Sequence, residues 1–332
     1  MRHIGHIGII GAGAWGTALA VSARRSGMEV TLWTFEPEVA EAIRTTRENP
    51  AFLPGIKLDP GIYAVTGPEP ILATDAVLAV APAQFMRQTL AGFAPNWPES
   101  LPVVVCAKGI EQSSLALMTE VVSEVLPMAP QAVLSGPTFA IEVARGLPTA
   151  VTLACKDARL GESLVQALGT RSFRPYLSDD PVGAEVGGAV KNVLAIACGI
   201  VAGKGFGDNA RAALTTRGLA EIVRLALAKG GKPETLMGLS GLGDLILTAN
   251  STQSRNFSVG VALGQGKTLS EALSGKRSIA EGVASAASSV ALGKKMGIEL
   301  PIAQAVDAVL NRGADLNATI EALLARPFKN EV

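Results

Sequence analysis

At 332 residues the chain is long enough for two domains of ordinary size, each with its own core. Its 29 basic and 29 acidic side chains cancel, so it lacks the positive field with which a nucleic-acid binder or a partner of anionic membranes draws its ligand. With 48% apolar residues, 36 glycines and 19 prolines the composition is that of a folded protein and too apolar for disorder.

The first 25 residues imitate a secretory leader: Arg2 is followed by an apolar stretch from Ile7 and small residues near Ala20. Glycines at 8, 11, 13 and 16 argue against that reading and for a strand, His6–Ile10, turning into a helix, 14–26. Apolar runs of strand length follow at Glu29–Trp33, Ile62–Thr66, Ala76–Val80, Pro102–Cys106, Ala132–Leu134 and Thr149–Ala154. Between them Pro37–Thr46, Leu115–Leu126 and Ala158–Leu168 read as helices. The alternation predicts an α/β fold with a doubly wound parallel sheet.

After Pro175 and Asp179-Asp180-Pro181 the strand signals stop. Segments 182–202, 210–229, 254–263, 284–296 and 302–311 suit helices separated by glycine-rich turns, so residues 181–332 are expected to form an all-α domain behind a dinucleotide-binding domain of residues 1–180. The first part carries 13 basic and 17 acidic side chains and the second 16 and 12, a small excess that suits an anionic ligand. No run reaches the roughly 18 uninterrupted apolar residues of a membrane span, and no internal repeat suggests a solenoid. Cys106, Cys155 and Cys198 are far apart with small or apolar neighbours and read as buried free thiols. With His3 and His6 as the only histidines, no metal site is expected, and the chain reads as cytoplasmic.

Gly11-Ala12-Gly13-Ala14-Trp15-Gly16 fits G-x-G-x-x-G in the context that makes it specific, after a strand and before a helix. Gly11 permits the tight turn, Gly13 lets the backbone approach a pyrophosphate, and Gly16 lets helix pack on strand; the bland reading is a glycine-rich turn without a ligand. Hydride chemistry at a dinucleotide also needs a proton donor and acceptor, and both histidines lie at or before the first strand. Lysine is next, because burial lowers its pKa. Lys191 is the single cation of an apolar small-residue helix, either an acid/base or a lysine snorkelling from the helix edge. Lys108 closes a strand where open α/β sheets bind ligands, or is a solvated strand end. Ser254-Arg255-Asn256 opens a helix, either as an anion site or as an N-cap with a surface arginine; Asp244 nearby either holds a substrate hydroxyl or caps a helix.

Together with Leu134-Ser135-Gly136-Pro137-Thr138-Phe139-Ala140, Lys191-Asn192-Val193, Gly241-Leu242-Gly243-Asp244-Leu245 and Glu281-Gly282-Val283, these motifs span almost the whole chain. The set resembles the nicotinamide-dependent sn-glycerol-3-phosphate dehydrogenases of the bacterial biosynthetic type. The resemblance implies a Rossmann-type domain followed by a helical one. It also implies reversible reduction of dihydroxyacetone phosphate for phospholipid synthesis. It assigns Lys191 as proton acceptor toward the glycerol hydroxyl, and Lys108, Gly136, Thr138, Asp244, Ser254, Arg255 and Asn256 as substrate contacts. Ala14, Trp15, Lys108, Ala140, Arg255, Ile279 and Glu281 match cofactor contacts; Ala14 departs from the commoner serine, which matters little where a backbone N–H makes the contact. A homodimer is expected, with a small phosphorylated substrate and no nucleic-acid partner. An enzyme of the β-hydroxyacid or 6-phosphogluconate type would share the architecture, but Asn192 follows Lys191 at once instead of in a Lys-x-x-x-Asn spacing. A dinucleotide sensor without catalysis would leave Lys191 and Ser254-Arg255-Asn256 without a task.

NAD or NADP is the expected cofactor, with NAD slightly favoured. Glu36 stands 20 residues beyond Gly16, where a carboxylate accepts hydrogen bonds from the adenosine ribose. Relatives that favour NADP carry a basic residue where this chain has Phe35. Two alternatives stay open: Glu36 serving the helix that starts at Pro37, and Arg24 or Arg25 reaching a 2′-phosphate from another side.

Overall fold

The structure, a computed structural model, describes residues 3–274 and 281–327. Among these, eight strands form one sheet in the order β3-β2-β1-β4-β5-β6-β7-β8. They are β1 (His6–Ile10), β2 (Glu29–Trp33), β3 (Ile62–Val65), β4 (Ala76–Ala79), β5 (Val103–Val105), β6 (Gln131–Ser135), β7 (Thr149–Ala154) and β8 (Phe173–Ser178). The central strands are apolar on both faces because helices cover both: Ile7 and Ile9 enter one core and Ile10 the other. Strand order reverses between β1 and β4, which opens the crevice at their C-terminal ends where such sheets bind ligands.

The sheet is parallel from β3 to β6, but β7 runs antiparallel to β6, with Leu134 opposite Leu153, and β8 runs parallel to β7. This corrects the all-parallel expectation. The chain leaving β6 forms α6 (Ala140–Arg145), whose carbonyls at Val143 and Ala144 accept hydrogen bonds from Arg25. Held against α1 (Ala14–Arg25), α6 is not a crossover lying on the sheet, and the next strand returns in the opposite sense. β8 was not expected either, because Pro175 interrupts its pattern; it lies at the sheet edge, where a missing N–H is tolerated.

α2 (Pro37–Thr46) and α7 (Ala158–Leu168) fall where the sequence places them, while α3 (Glu69–Leu72) and α4 (Met86–Phe93) add short helices. α5 spans Met118–Val125 and not the expected 115–126, because Leu115 takes a left-handed conformation at φ 63° and Ile110 bridges Leu117.

The rest of the described chain is helical: α8 (Pro181–Gly203), α9 (Gly207–Ala228), α10 (Pro233–Met237), α11 (Asp244–Ala249), α12 (Arg255–Gly264), α13 (Leu269–Leu273), α14 (Glu281–Lys295), α15 (Pro301–Asn311) and α16 (Leu316–Leu324). α8 has the length and mean hydropathy, 1.7, of a membrane-crossing helix, but Glu185 and Lys191 interrupt its apolar run and 83% of that window is buried inside the fold, as in the core helix of a helical layer. It packs on α12 with almost no side chain between: a Cβ on Gly199 would lie 2.1 Å from Phe257 O, and one on Gly260 2.1 Å from Ile196 O. Backbone contact thus fixes how the starts of α12 and the middle of α8 face each other.

Candidate active site

At the crevice, Gly11 adopts φ 111°, and a Cβ there would press on Val80 and Ala81 backbone at 3.1 Å. A Cβ on Gly16 would lie 1.8 Å from Gly11 O, whereas one on Gly13 would meet nothing within 4 Å. The loop is closed beneath and open above, the shape a pyrophosphate needs. Gly13 is the N-cap of α1 and no side chain caps that helix, so the amides of its first turn, at Ala14 and Trp15, are left for an anion. The buried Trp15 Nε1 also has no partner. These features fit a dinucleotide.

At the end of β2, Phe35 is 79% exposed and Glu36 is the N-cap of α2, yet its side chain makes no capping hydrogen bond and instead accepts from Thr34 Oγ1 at 3.1 Å. The carboxylate thus makes no cap, while its place at the N-cap sets its charge at the positive end of the α2 dipole, as the helix-start alternative has it. Arg24 and Arg25 are corrected as phosphate candidates: they lie in the last turn of α1, Arg24 paired with Asp59 at 3.0 Å and Arg25 bonded to the α6 carbonyls.

Lys191 is buried in mid-helix α8, 6% exposed, so the snorkelling alternative fails. Its Nζ donates to Asp244 Oδ1 at 2.7 Å and to Thr248 Oγ1 at 2.8 Å. Lys108, from the loop after β5, donates to the other oxygen of Asp244, Oδ2, at 2.7 Å and to Gly136 O at 3.0 Å. Asp244 is fully buried with one lysine on each oxygen, so it joins two cations, and it does not cap α11, whose N-cap is Gly243. Burial pushes the Lys191 ammonium down to about 8, with the Lys108 charge in the same direction and Asp244 opposing. Two lysines with one carboxylate leave a net positive charge where an oxyanion would sit.

The turn that delivers Asp244 is a π-helical one over Leu239–Gly243, closed by Gly243 N to Gly238 O at 3.0 Å. Glycine is required there, because a Cβ on Gly241 would come within 2.1 Å of Leu236 O. Thr248 was missed by the sequence reading; its signal is the one-turn spacing from Asp244 on α11.

Gly136 takes φ 152° against Val151 and Ala150 of β7, and Thr138 Oγ1 donates to its carbonyl at 3.3 Å. Ala140 begins α6. Ser254 caps α12 by accepting from Phe257 N at 3.2 Å, which puts the first-turn amides and Arg255 at the helix start. Asn256 is buried and accepts from Gly282 N at 3.1 Å, tying α12 to the start of α14. There half-buried Glu281 is pushed up by burial, while the charges of Arg255, Lys108 and Lys191 pull it back, which gathers these four groups in one field. Ile279 lies outside the described residues.

Family models for the N-terminus and C-terminus of NAD-dependent glycerol-3-phosphate dehydrogenase match residues 6–161 and 180–321. A protein of Rhodospirillum rubrum named glycerol-3-phosphate dehydrogenase (NAD(P)+) is 62% identical over 99% of this chain and 94% of its own length. One of the same name from Maricaulis maris is 58% identical over 98% of each. The crystal structure of glycerol-3-phosphate dehydrogenase from Coxiella burnetii superposes with a TM-score of 0.93 at 38% identity, covering 97% of this chain and 99% of that one.

Proposed function

The chain belongs to the NAD-dependent glycerol-3-phosphate dehydrogenase family, and from that premise we propose how its residues divide the work. The reaction is the reversible, NAD(P)-dependent reduction of dihydroxyacetone phosphate to sn-glycerol 3-phosphate, which supplies glycerophospholipid synthesis. When bound, the nicotinamide supplies the hydride for C2 of the substrate.

Lys191 gives the proton to the C2 oxygen on reduction and takes it back on oxidation. The observation that carries this role is the burial of a lysine bonded to Asp244 and Thr248, its ammonium lowered to about 8, near the working pH where proton exchange is easiest. Lys108 neutralises charge on the same oxygen and contacts the cofactor. Arg255, at the start of α12, holds the phosphate, helped by Ser254 and Asn256. Gly136 and Thr138 line the substrate, while Gly11, Gly13, Ala14, Trp15, Gly16, Phe35, Glu36, Ala140 and Glu281 hold the dinucleotide. Replacing Lys191 by Ala tests this: turnover should fall at least about 100-fold, the worth of a general acid, with NADH affinity by fluorescence titration unchanged. Retention of a tenth of the activity would remove the role.

We read residues 1–180 and 181–332 as two domains, since the sheet ends at Ser178 and α8 begins at Pro181. NAD is favoured slightly over NADP, because Glu36 places a carboxylate at the end of β2. A cytoplasmic homodimer fits three buried free thiols and the exposed Tyr176 and Leu177 on the edge strand; light scattering on the purified protein tests the dimer.

A further inference from the structure

Ser135 is the last residue of β6, 4% exposed, and its Oγ has no hydrogen-bond partner. A buried hydroxyl left unpaired is costly, so such a group in a site calls for a partner that arrives with the ligand. Its surroundings are specific. A Cβ on Gly188 would lie 3.0 Å from Ser135 Oγ and 3.2 Å from Lys108 Cγ, so the hydroxyl and the Lys108 stem meet over the same point of α8. Gly188 stands one turn before Lys191 on that helix.

The other end of the site lies in the opposite direction along α8. A Cβ on Gly282 would lie 2.9 Å from Asn192 O and 2.7 Å from Asn256 Oδ1, which sets the start of α12 beside Asn192. In order along the helix come Ser135 over Gly188, then Lys191, then Asn256 beside Asn192. From 188 to 192 is about 6 Å at 1.5 Å per residue, the reach of a three-carbon chain with an oxygen at each end.

We propose that Ser135 is a specificity-determining residue whose hydroxyl hydrogen-bonds the free C1 hydroxyl of dihydroxyacetone phosphate. This rests on the reading above that Lys191 faces C2 and the start of α12 takes the phosphate: with those two ends fixed, the remaining hydroxyl points along α8 toward Gly188. A site built to bond a substrate hydroxyl discriminates against the analogue that lacks it.

The test compares dihydroxyacetone phosphate with hydroxyacetone phosphate, which keeps the ketone and the phosphate and has a methyl group at C1. Ser135→Ala lowers kcat/KM for dihydroxyacetone phosphate about tenfold, as loss of one neutral hydrogen bond should. For the analogue, which gives the hydroxyl nothing to hold, the change stays within about twofold, so the preference shrinks by nearly the whole factor. Ser135→Cys, similar in size and a weak hydrogen bonder, reads the same ratio if the alanine variant does not fold. An equal loss on both substrates, or an unchanged ratio, overturns the proposal. Arg255→Ala keeps the two failures apart: both substrates carry the phosphate, so it lowers both alike if the phosphate reading holds and leaves the ratio untouched.

Discussion

Lys191 Nζ lies 2.7 Å from Asp244 Oδ1 in a site where both side chains are buried, and the carboxylate is shared with Lys108 on its other oxygen. Asp244 therefore sets the proton affinity of Lys191 from one side while burial and Lys108 set it from the other. Because burial dominates, the ammonium falls to about 8, protonated at neutral pH and ready to donate.

A pH profile follows with opposite signs for the two directions. Reduction needs the protonated lysine, so kcat/KM for dihydroxyacetone phosphate should be flat below pH 8 and fall tenfold per unit above it; oxidation of glycerol 3-phosphate needs the neutral amine and should rise toward a plateau above pH 8. In Asp244→Asn the charge that holds the ammonium up is gone, and the break should move down by roughly 1–3 units. A break that stays at the same pH in that variant would detach Lys191 from it.

Loss of the Arg255 guanidinium should be felt only by phosphorylated substrates. Arg255→Ala is expected to lower kcat/KM for dihydroxyacetone phosphate about 100-fold, within the range for a charge-assisted hydrogen bond, with little change for dihydroxyacetone. Steady-state kinetics on the two substrates decide it, and equal losses would assign Arg255 to the cofactor or to structure.

The preference between the two dinucleotides should follow Glu36. NADH is expected to show the higher kcat/KM, and Glu36→Gln should narrow the gap to NADPH by about tenfold, since the 2′-phosphate then meets no carboxylate. An unchanged ratio would mean that Glu36 faces away from the ribose.

The crossing of α8 and α12 makes a stability prediction. A methyl at Gly260 must push Ile196 O or Gly199 aside, so Gly260→Ala should cost about 1–3 kcal/mol in urea unfolding and raise KM for dihydroxyacetone phosphate. Gly92, on α4 with open space at its Cβ, is the contrast: there alanine should stabilise by about 0.5–1 kcal/mol and leave the kinetics alone.

The sheet was legible where a strand is buried on both faces, because β1, β4 and β5 then read as unbroken apolar runs. It was not legible at β8, where Pro175 sits on an edge that tolerates it, nor in α3 and α6, which are too short to show a helical period. Of the site, the glycines announce themselves because backbone geometry demands them. The Lys108–Asp244–Lys191 cluster does not: the three are 53 to 136 residues apart in pairs, and nothing local in Gly243-Asp244-Leu245 says that its carboxylate will be locked between two cations.

The core position of α8 has a consequence in time. The helices that cover it, α9, α11, α12 and α14, all follow it in the chain, and the end of α12 is about 60 residues downstream. At roughly 5–20 residues per second, synthesis holds this membrane-length apolar segment without its cover for several seconds, whereas the sheet strands preceding it already have one another. Nascent chains stopped after α8 should therefore be captured by a chaperone that binds apolar segments, and chains stopped after α14 released from it, which makes the order of elements along the chain a determinant of its yield.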